Sequence, residues 1–165
     1  TKKSNIENNL NGVKAITLND NRWSRPDIKT TQLLPNVLAK TLANKNNAYE
    51  SIFIDDEGFV TEGSSSNIWV LNKENQLITR NLDGKILSGI TRNSISLFAK
   101  KNNITVIEKK FTRIELYNAK EVFLTSASSF IMPIIQIDDQ NINQGLVGNI
   151  SLELRKLYFN NFKHS

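Results

Sequence analysis

The sequence has no cysteine, a single histidine and no long apolar run. Without cysteine there is no disulfide, no thiolate metal site and no cysteine nucleophile, and a reducing cytoplasm is the expected setting. The lone histidine, His164, is the penultimate residue, a poor position from which to hold a ligand. A Ser/His/Asp triad and most zinc sites are thereby set aside, and no metal is expected. No stretch approaches the ~20 apolar residues of a membrane helix. Thr1-Lys2-Lys3-Ser4-Asn5 has no apolar stretch behind it, so neither a membrane span nor a signal peptide is expected. Internal repeats and low-complexity tracts are also missing. The net charge of +5 favours anionic partners. The basic residues are nevertheless scattered, with only doublets such as Lys100-Lys101 and Lys109-Lys110, so nucleic acid is not an expected partner.

What remains is ordinary globular material: 165 residues, 39% hydrophobic and 22% charged, enough for one domain with a sizeable core. Any chemistry must run on lysine, carboxylates, hydroxyls or a bound cofactor.

Residues 1–12 are polar and Asn-rich and read as a linker or arm; residues 13–165 form the domain. Alternation from Val13 to Leu18 predicts a strand. Leu34, Val37, Leu38 and Leu42 recur at helical spacing and predict a helix over 33–44, with Pro35 in its first turn. Strands follow at 50–54, 59–61, 67–71 and 76–79, read as a meander of antiparallel hairpins. Residues 91–101 are helical, with Ile95, Phe98 and Ala99 on one face, and 104–108 is a strand. A short helix at 112–118 has Thr112 and Glu115 spaced as a capping box. Strands at 121–125 and 131–137 precede, after Gly145 and Gly148, an amphipathic helix carrying Ile150, Leu154, Leu157, Tyr158 and Phe162. A β-rich centre followed by alternating elements predicts a mixed α/β domain. The first residues hold no convincing structural element, as expected for a piece of something longer.

Three loops carry small and polar residues in patterns suited to an anion. Thr61-Glu62-Gly63-Ser64-Ser65-Ser66-Asn67 joins two strands, with a carboxylate able to pair with a cationic ring nitrogen; it also reads as a polar turn. Leu87-Ser88-Gly89-Ile90-Thr91-Arg92 opens a helix, where free N–H groups and the helix dipole attract an anion; Ser88 or Thr91 would equally serve as a plain cap. Thr125-Ser126-Ala127-Ser128-Ser129 follows a strand, a common place to hold phosphate and also a common turn. Together they describe a site for a phosphorylated ligand without metal. Lys29, before the first helix, would by itself read as a surface residue.

The order of motifs resembles the class IV pyridoxal-phosphate aminotransferases, in particular the D-amino-acid type. The resemblance rests on Arg22-Trp23-Ser24-Arg25-Pro26-Asp27-Ile28-Lys29, Leu33-Leu34-Pro35-Asn36-Val37-Leu38-Ala39-Lys40 and Ala48-Tyr49-Glu50. It continues through the Glu62 and Gly89 loops, Glu121-Val122-Phe123-Leu124-Thr125-Ser126 and Gly145-Leu146-Val147-Gly148. It implies the C-terminal, cofactor-bearing domain of that fold, a mixed sheet curled as a pseudo-barrel with flanking helices. It further implies that Lys29 carries pyridoxal 5'-phosphate through its amine and that Glu62 pairs with the pyridine nitrogen. Leu87 would pack on the ring, with Ser65 and Ser66 around it. Gly89, Ile90 and Thr91, completed by Ser126 and Ala127, would bind the phosphate.

The implied reaction is transamination between an amino acid, D-alanine favoured, and a 2-oxo acid. Aminodeoxychorismate lyase and branched-chain aminotransferase are the alternatives within the family, and a catalytically incomplete scaffold domain the alternative outside it. Family members often carry Thr where this chain has Ala127, and branched-chain members usually place Tyr where it has Leu34. Thr31-Gln32 replaces a commoner Leu-Asn pair. The resemblance also implies an N-terminal domain that is absent from this chain, and a homodimer in the full-length protein.

Overall fold

Period-2 alternation in the central strands sends side chains into two separate cores, and this decides the architecture. The computed structural model describes residues 11–162, with side chains as far as Asn160. Residues 1–10 of the predicted arm and His164 therefore lie outside the described residues.

In chain order the elements are β1 (Val13–Asn19), α1 (Leu34–Lys45), β2 (Glu50–Ile54), β3 (Val60–Gly63), β4 (Asn67–Leu71), β5 (Leu77–Thr79) and α2 (Ile90–Lys101). They continue with β6 (Val106–Glu108), α3 (Arg113–Tyr117), β7 (Glu121–Ser126), β8 (Phe130–Ile137), β9 (Gln140–Asn141) and α4 (Asn149–Phe162). The strands form one mixed sheet in the order β3-β2-β1-β8-β7-β4-β5-β6, with β9 paired to β8. Pairs β1–β2, β1–β8 and β5–β6 are parallel and the rest antiparallel. The sheet is curled into a half-barrel, as the mixed α/β, pseudo-barrel expectation requires.

Along β4, Ile68 and Val70 enter one core while Trp69 and Leu71 enter the other; on β7, Val122 and Leu124 part in the same way from Phe123. The first core lies inside the curl, with Ile52, Val60, Met132, Ile134 and Leu116 of α3. The second lies outside it, where Ile95 and Ala99 of α2 and Leu154 and Tyr158 of α4 cover β4, β5, β7 and β8. Both faces being covered explains why β2, β3, β4 and β5 are buried throughout. The predicted capping box holds: Thr112 Oγ1 accepts from Glu115 N, and the Glu115 carboxylate accepts from Thr112 N at 2.7 Å.

One expectation needs correction. The hairpins β2–β3 and β4–β5 exist, but β3 and β4 are not neighbours in the sheet, so there is no continuous meander. β4 pairs with β7 instead, and residues 64–66 carry the chain from the edge strand β3 across the mouth of the curl. The predicted first helix is present as α1, but Leu34, Val37, Leu38 and Leu42 are exposed, Leu34 at 69%, and the small Ala39 and Ala43 make the buried side. Helical spacing identifies a face but not which body covers it.

Candidate active site

Glu62 sits near the end of β3, 6% exposed, and every donor around it is supplied by a different segment. Arg22 Nη1 donates to Oε1; Asn67 Nδ2 and the Leu87 backbone N–H each donate to Oε2 at 3.0 Å. Burial pushes the Glu62 carboxyl up to about 7, while the charge and hydrogen bond of Arg22 and the Leu87 N–H pull against it. Arg22 is held in turn by a forked pair of bonds to Asp20, Nε to Oδ1 at 2.8 Å and Nη2 to Oδ2 at 2.7 Å. Burial raises the Asp20 carboxyl, but Arg22 more than offsets this and leaves it below its ordinary value.

Glu62 lines a cavity of about 660 Å³ at the mouth of the curl. Lys29 lines the same cavity from the exposed loop between β1 and α1, and its amine has no hydrogen-bond or ion-pair partner among the described residues. Ser65, Ser66, Leu87, Gly89, Ile90, Thr91, Ser126 and Ala127 line it too, so all ten residues singled out in the sequence meet in one space.

The start of α2 forms another part of the cavity wall. Gly89 is its N-cap, with extended backbone and no side-chain cap. Ser88 is occupied elsewhere, accepting from Asn93 Nδ2 at 3.2 Å, and the buried Thr91 Oγ1 has no hydrogen-bond partner among the described residues. The plain-cap alternative therefore does not describe this turn. Free N–H groups, a positive helix end and an orphaned hydroxyl converge on the cavity, the set a phosphate would satisfy. Gly89 is needed because a Cβ there would collide with Asn67 Oδ1. Ser126 Oγ accepts from Ser129 N at 3.0 Å and so shapes the turn before β8, leaving Ala127 exposed beside it.

The hydroxyls of the serine loop are taken up within the protein. Ser64, Ser65 and Ser66 all donate to the buried carboxylate of Glu50, which also accepts from Ser51 N at 2.9 Å. Lys40 stands 3.9 Å from that carboxylate and over the Tyr49 ring, and it lines the cavity. Arg22, Asp20, Asn67, Glu50 and Lys40 were not singled out as site residues in the sequence. The only available signal was that Arg22, Lys40, Glu50 and Asn67 fall inside the motifs that carry the resemblance.

Comparison with known proteins gives the family. The profile of the family described as Amino-transferase class IV matches residues 2–137, and the chain belongs to that family. It is 44% identical to the D-alanine aminotransferase of Bacillus licheniformis over 141 residues, which covers 86% of this chain and 49% of that protein. Against the D-alanine aminotransferase of Staphylococcus aureus strain N315 it is 44% identical over 146 residues, 88% and 51% respectively. Among solved structures it resembles the branched-chain amino acid aminotransferase of Thermobaculum terrenum in its PLP form. That match has a TM-score of 0.82 and 29% identity, covering 93% of this chain and 51% of the other. The branched-chain aminotransferase of Thermoproteus uzoniensis with norvaline gives 0.77 at 30% identity, covering 90% and 50%. The chain thus spans about half the length of the relatives it matches.

Proposed function

We propose that this chain is the cofactor-bearing half of a pyridoxal-phosphate-dependent transaminase that exchanges an amino group between a D-amino acid, D-alanine favoured, and a 2-oxo acid. The observation that carries the reading is the shared cavity: the unpartnered amine of Lys29, the buried carboxylate of Glu62 and the uncapped start of α2 with its orphaned Thr91 hydroxyl all face it.

Pyridoxal phosphate, when bound, supplies an aldehyde for an amine and a ring that accepts the electron pair left at the substrate Cα. Lys29 would hold the cofactor through its amine and, with that amine free, would take a proton from the substrate Cα and return one at C4′. The negative charge of Glu62 keeps a proton on the ring nitrogen. The N–H groups of Ile90 and Thr91 with the Thr91 hydroxyl grip the phosphate, Ser126 and Ala127 close that cup, and Leu87 walls the ring. Gly89 lets the phosphate approach the backbone.

Sequence relatives favour D-alanine, since both quoted at 44% identity are D-alanine aminotransferases. The second reading is a branched-chain substrate, favoured by the fold match at TM-score 0.82. On this reading the cofactor domain of residues 13–165 is joined in the full-length protein by an N-terminal domain, and that protein is a homodimer; the chain spans about half the length of its relatives. The exposed Leu34, Val37, Leu38 and Leu42 stripe supports an additional covering body, because so large an apolar face is costly in water. A cysteine-free chain acting on free amino acids suits the cytoplasm, and no helix among the described residues is long and apolar enough to cross a membrane.

The test is to add pyridoxal phosphate, reduce with borohydride and map the label. Label on Lys29, lost in Lys29→Ala, is expected; an unchanged label in that variant overturns the assignment. No label at all leaves the scaffold alternative. With the full-length protein, D-alanine plus 2-oxoglutarate should turn over. Pyruvate release from aminodeoxychorismate would indicate the lyase, and turnover of L-leucine instead the branched-chain enzyme.

A further inference from the structure

We infer that Arg22 is a positioning residue: clamped by Asp20 on one side, it fixes the orientation and the charge of Glu62 on the other, making Glu62 a ready partner for a cationic ring nitrogen. The inference deepens the reading of Glu62 given above and rests on it for the identity of that partner.

Arg22 lines the cavity, but its guanidinium is taken up by partners within the protein. Its side chain is 4% exposed, its guanidinium carbon lies 4.7 Å from the centre of the Phe53 ring, and Nη2 also reaches Thr61 Oγ1 and Lys85 O, each at 3.3 Å. Asp20 is anchored independently, accepting from Thr61 Oγ1 at 2.7 Å. The row Asp20–Arg22–Glu62 therefore holds two carboxylates about one guanidinium and, fully ionised, carries one net negative charge. That surplus is what a protonated ring nitrogen would neutralise. A lone buried carboxylate would instead take up a proton and lose its charge. Arg22 opposes that, and Asp20 keeps Arg22 from neutralising Glu62 outright. The Asn67 amide and the Leu87 N–H occupy the other oxygen and fix the carboxylate plane. The remaining charged groups nearby are Lys29 and Lys40, lining the same cavity, and Glu50, turned into the serine loop.

Arg22 and Asp20 act on Glu62 in opposite directions: Arg22 lowers its carboxyl and Asp20 raises it. General damage to the fold would not reproduce opposite signs. The experiment is a pH titration of the Glu62 carboxyl by carbon NMR in the full-length, cofactor-free protein, with the resonance assigned by its loss in Glu62→Gln. Arg22→Met should raise the midpoint by about a unit or more, Asp20→Asn should lower it, and Arg22→Lys should restore much of the native value. Affinity for added pyridoxal phosphate should drop about tenfold in Arg22→Met, about one pKa unit of lost charge stabilisation.

Should Arg22→Met not fold, the downward shift in Asp20→Asn still decides the matter. A midpoint that stays put in the folded variants, or moves the same way in both, overturns the inference. Opposite shifts with unchanged cofactor affinity would uphold the coupling and place the fault in the assignment of Glu62 to the ring nitrogen.

Discussion

Gly89 and Asn67 are packed so closely that a methyl group on the glycine would overlap the Asn67 amide oxygen. The contact ties two halves of the site together, because Asn67 Nδ2 also donates to Glu62 at 3.0 Å and to Leu87 O at 2.9 Å. The helix start that presents the anion cup and the carboxylate of Glu62 are thus held in register by one amide.

Gly89→Ala should break that register. Asn67 begins β4 and its amide is tied to Glu62 and Leu87, so overpacking should destabilise the fold by about 1–3 kcal/mol. Affinity for pyridoxal phosphate should fall further than the stability loss explains. Urea unfolding and a cofactor titration check this together; a variant with native affinity would show that Asn67 moves freely.

Thr91→Val should separate the cofactor site from the fold. The hydroxyl is buried with no partner among the described residues, so its removal from cofactor-free protein should leave stability unchanged or slightly higher. Affinity for pyridoxal phosphate should fall about tenfold or more, the size of a hydrogen bond to a charged group. Equal affinity in the variant would take Thr91 out of the phosphate cup.

Glu62 makes stability depend on pH with an uncommon sign for a carboxylate. Its folded value is about 7 against an ordinary 4.5. Between these values the folded state binds more protons than the unfolded one, so stability falls as pH rises. The loss across that window is about 3 kcal/mol at full extent, from about 1.4 kcal/mol per unit. Glu62→Gln should lack it, so the gap between variant and native protein should shift in the variant's favour from pH 4.5 to pH 7. Parallel stability profiles in urea would show that Glu62 titrates normally.

Glu121→Ala should loosen α4. Glu121 begins β7, yet its carboxylate accepts from Ile150 N at 3.0 Å and Ser151 N at 2.9 Å, capping a helix far along the chain. Gly148 is needed beside it, since a Cβ there would collide with the same carboxylate. Loss of this buried, charge-assisted cap should reduce stability by about 2 kcal/mol. Hydrogen exchange in the first turn of α4 should rise with it; unchanged protection there would show that the cap is dispensable.

Local chemistry was legible along the chain because its causes are local. Alternation placed β1, the capping pair Thr112 and Glu115 placed α3, and the glycine before Ile90 placed an open helix start. The ordered motifs brought Lys29, Glu62 and Thr91 to attention, and the fold brings all three to one cavity. Tertiary structure alone decided the rest. It separated β3 from β4, turned the apolar stripe of α1 away from the core, gave the serine hydroxyls to Glu50, and set Asp20 and Arg22 behind Glu62. These outcomes depend on which distant backbone comes within a hydrogen bond's reach. Sequence spacing carries a residue's type and its side of an element, whereas the partner of a buried charge is settled only when the sheet curls.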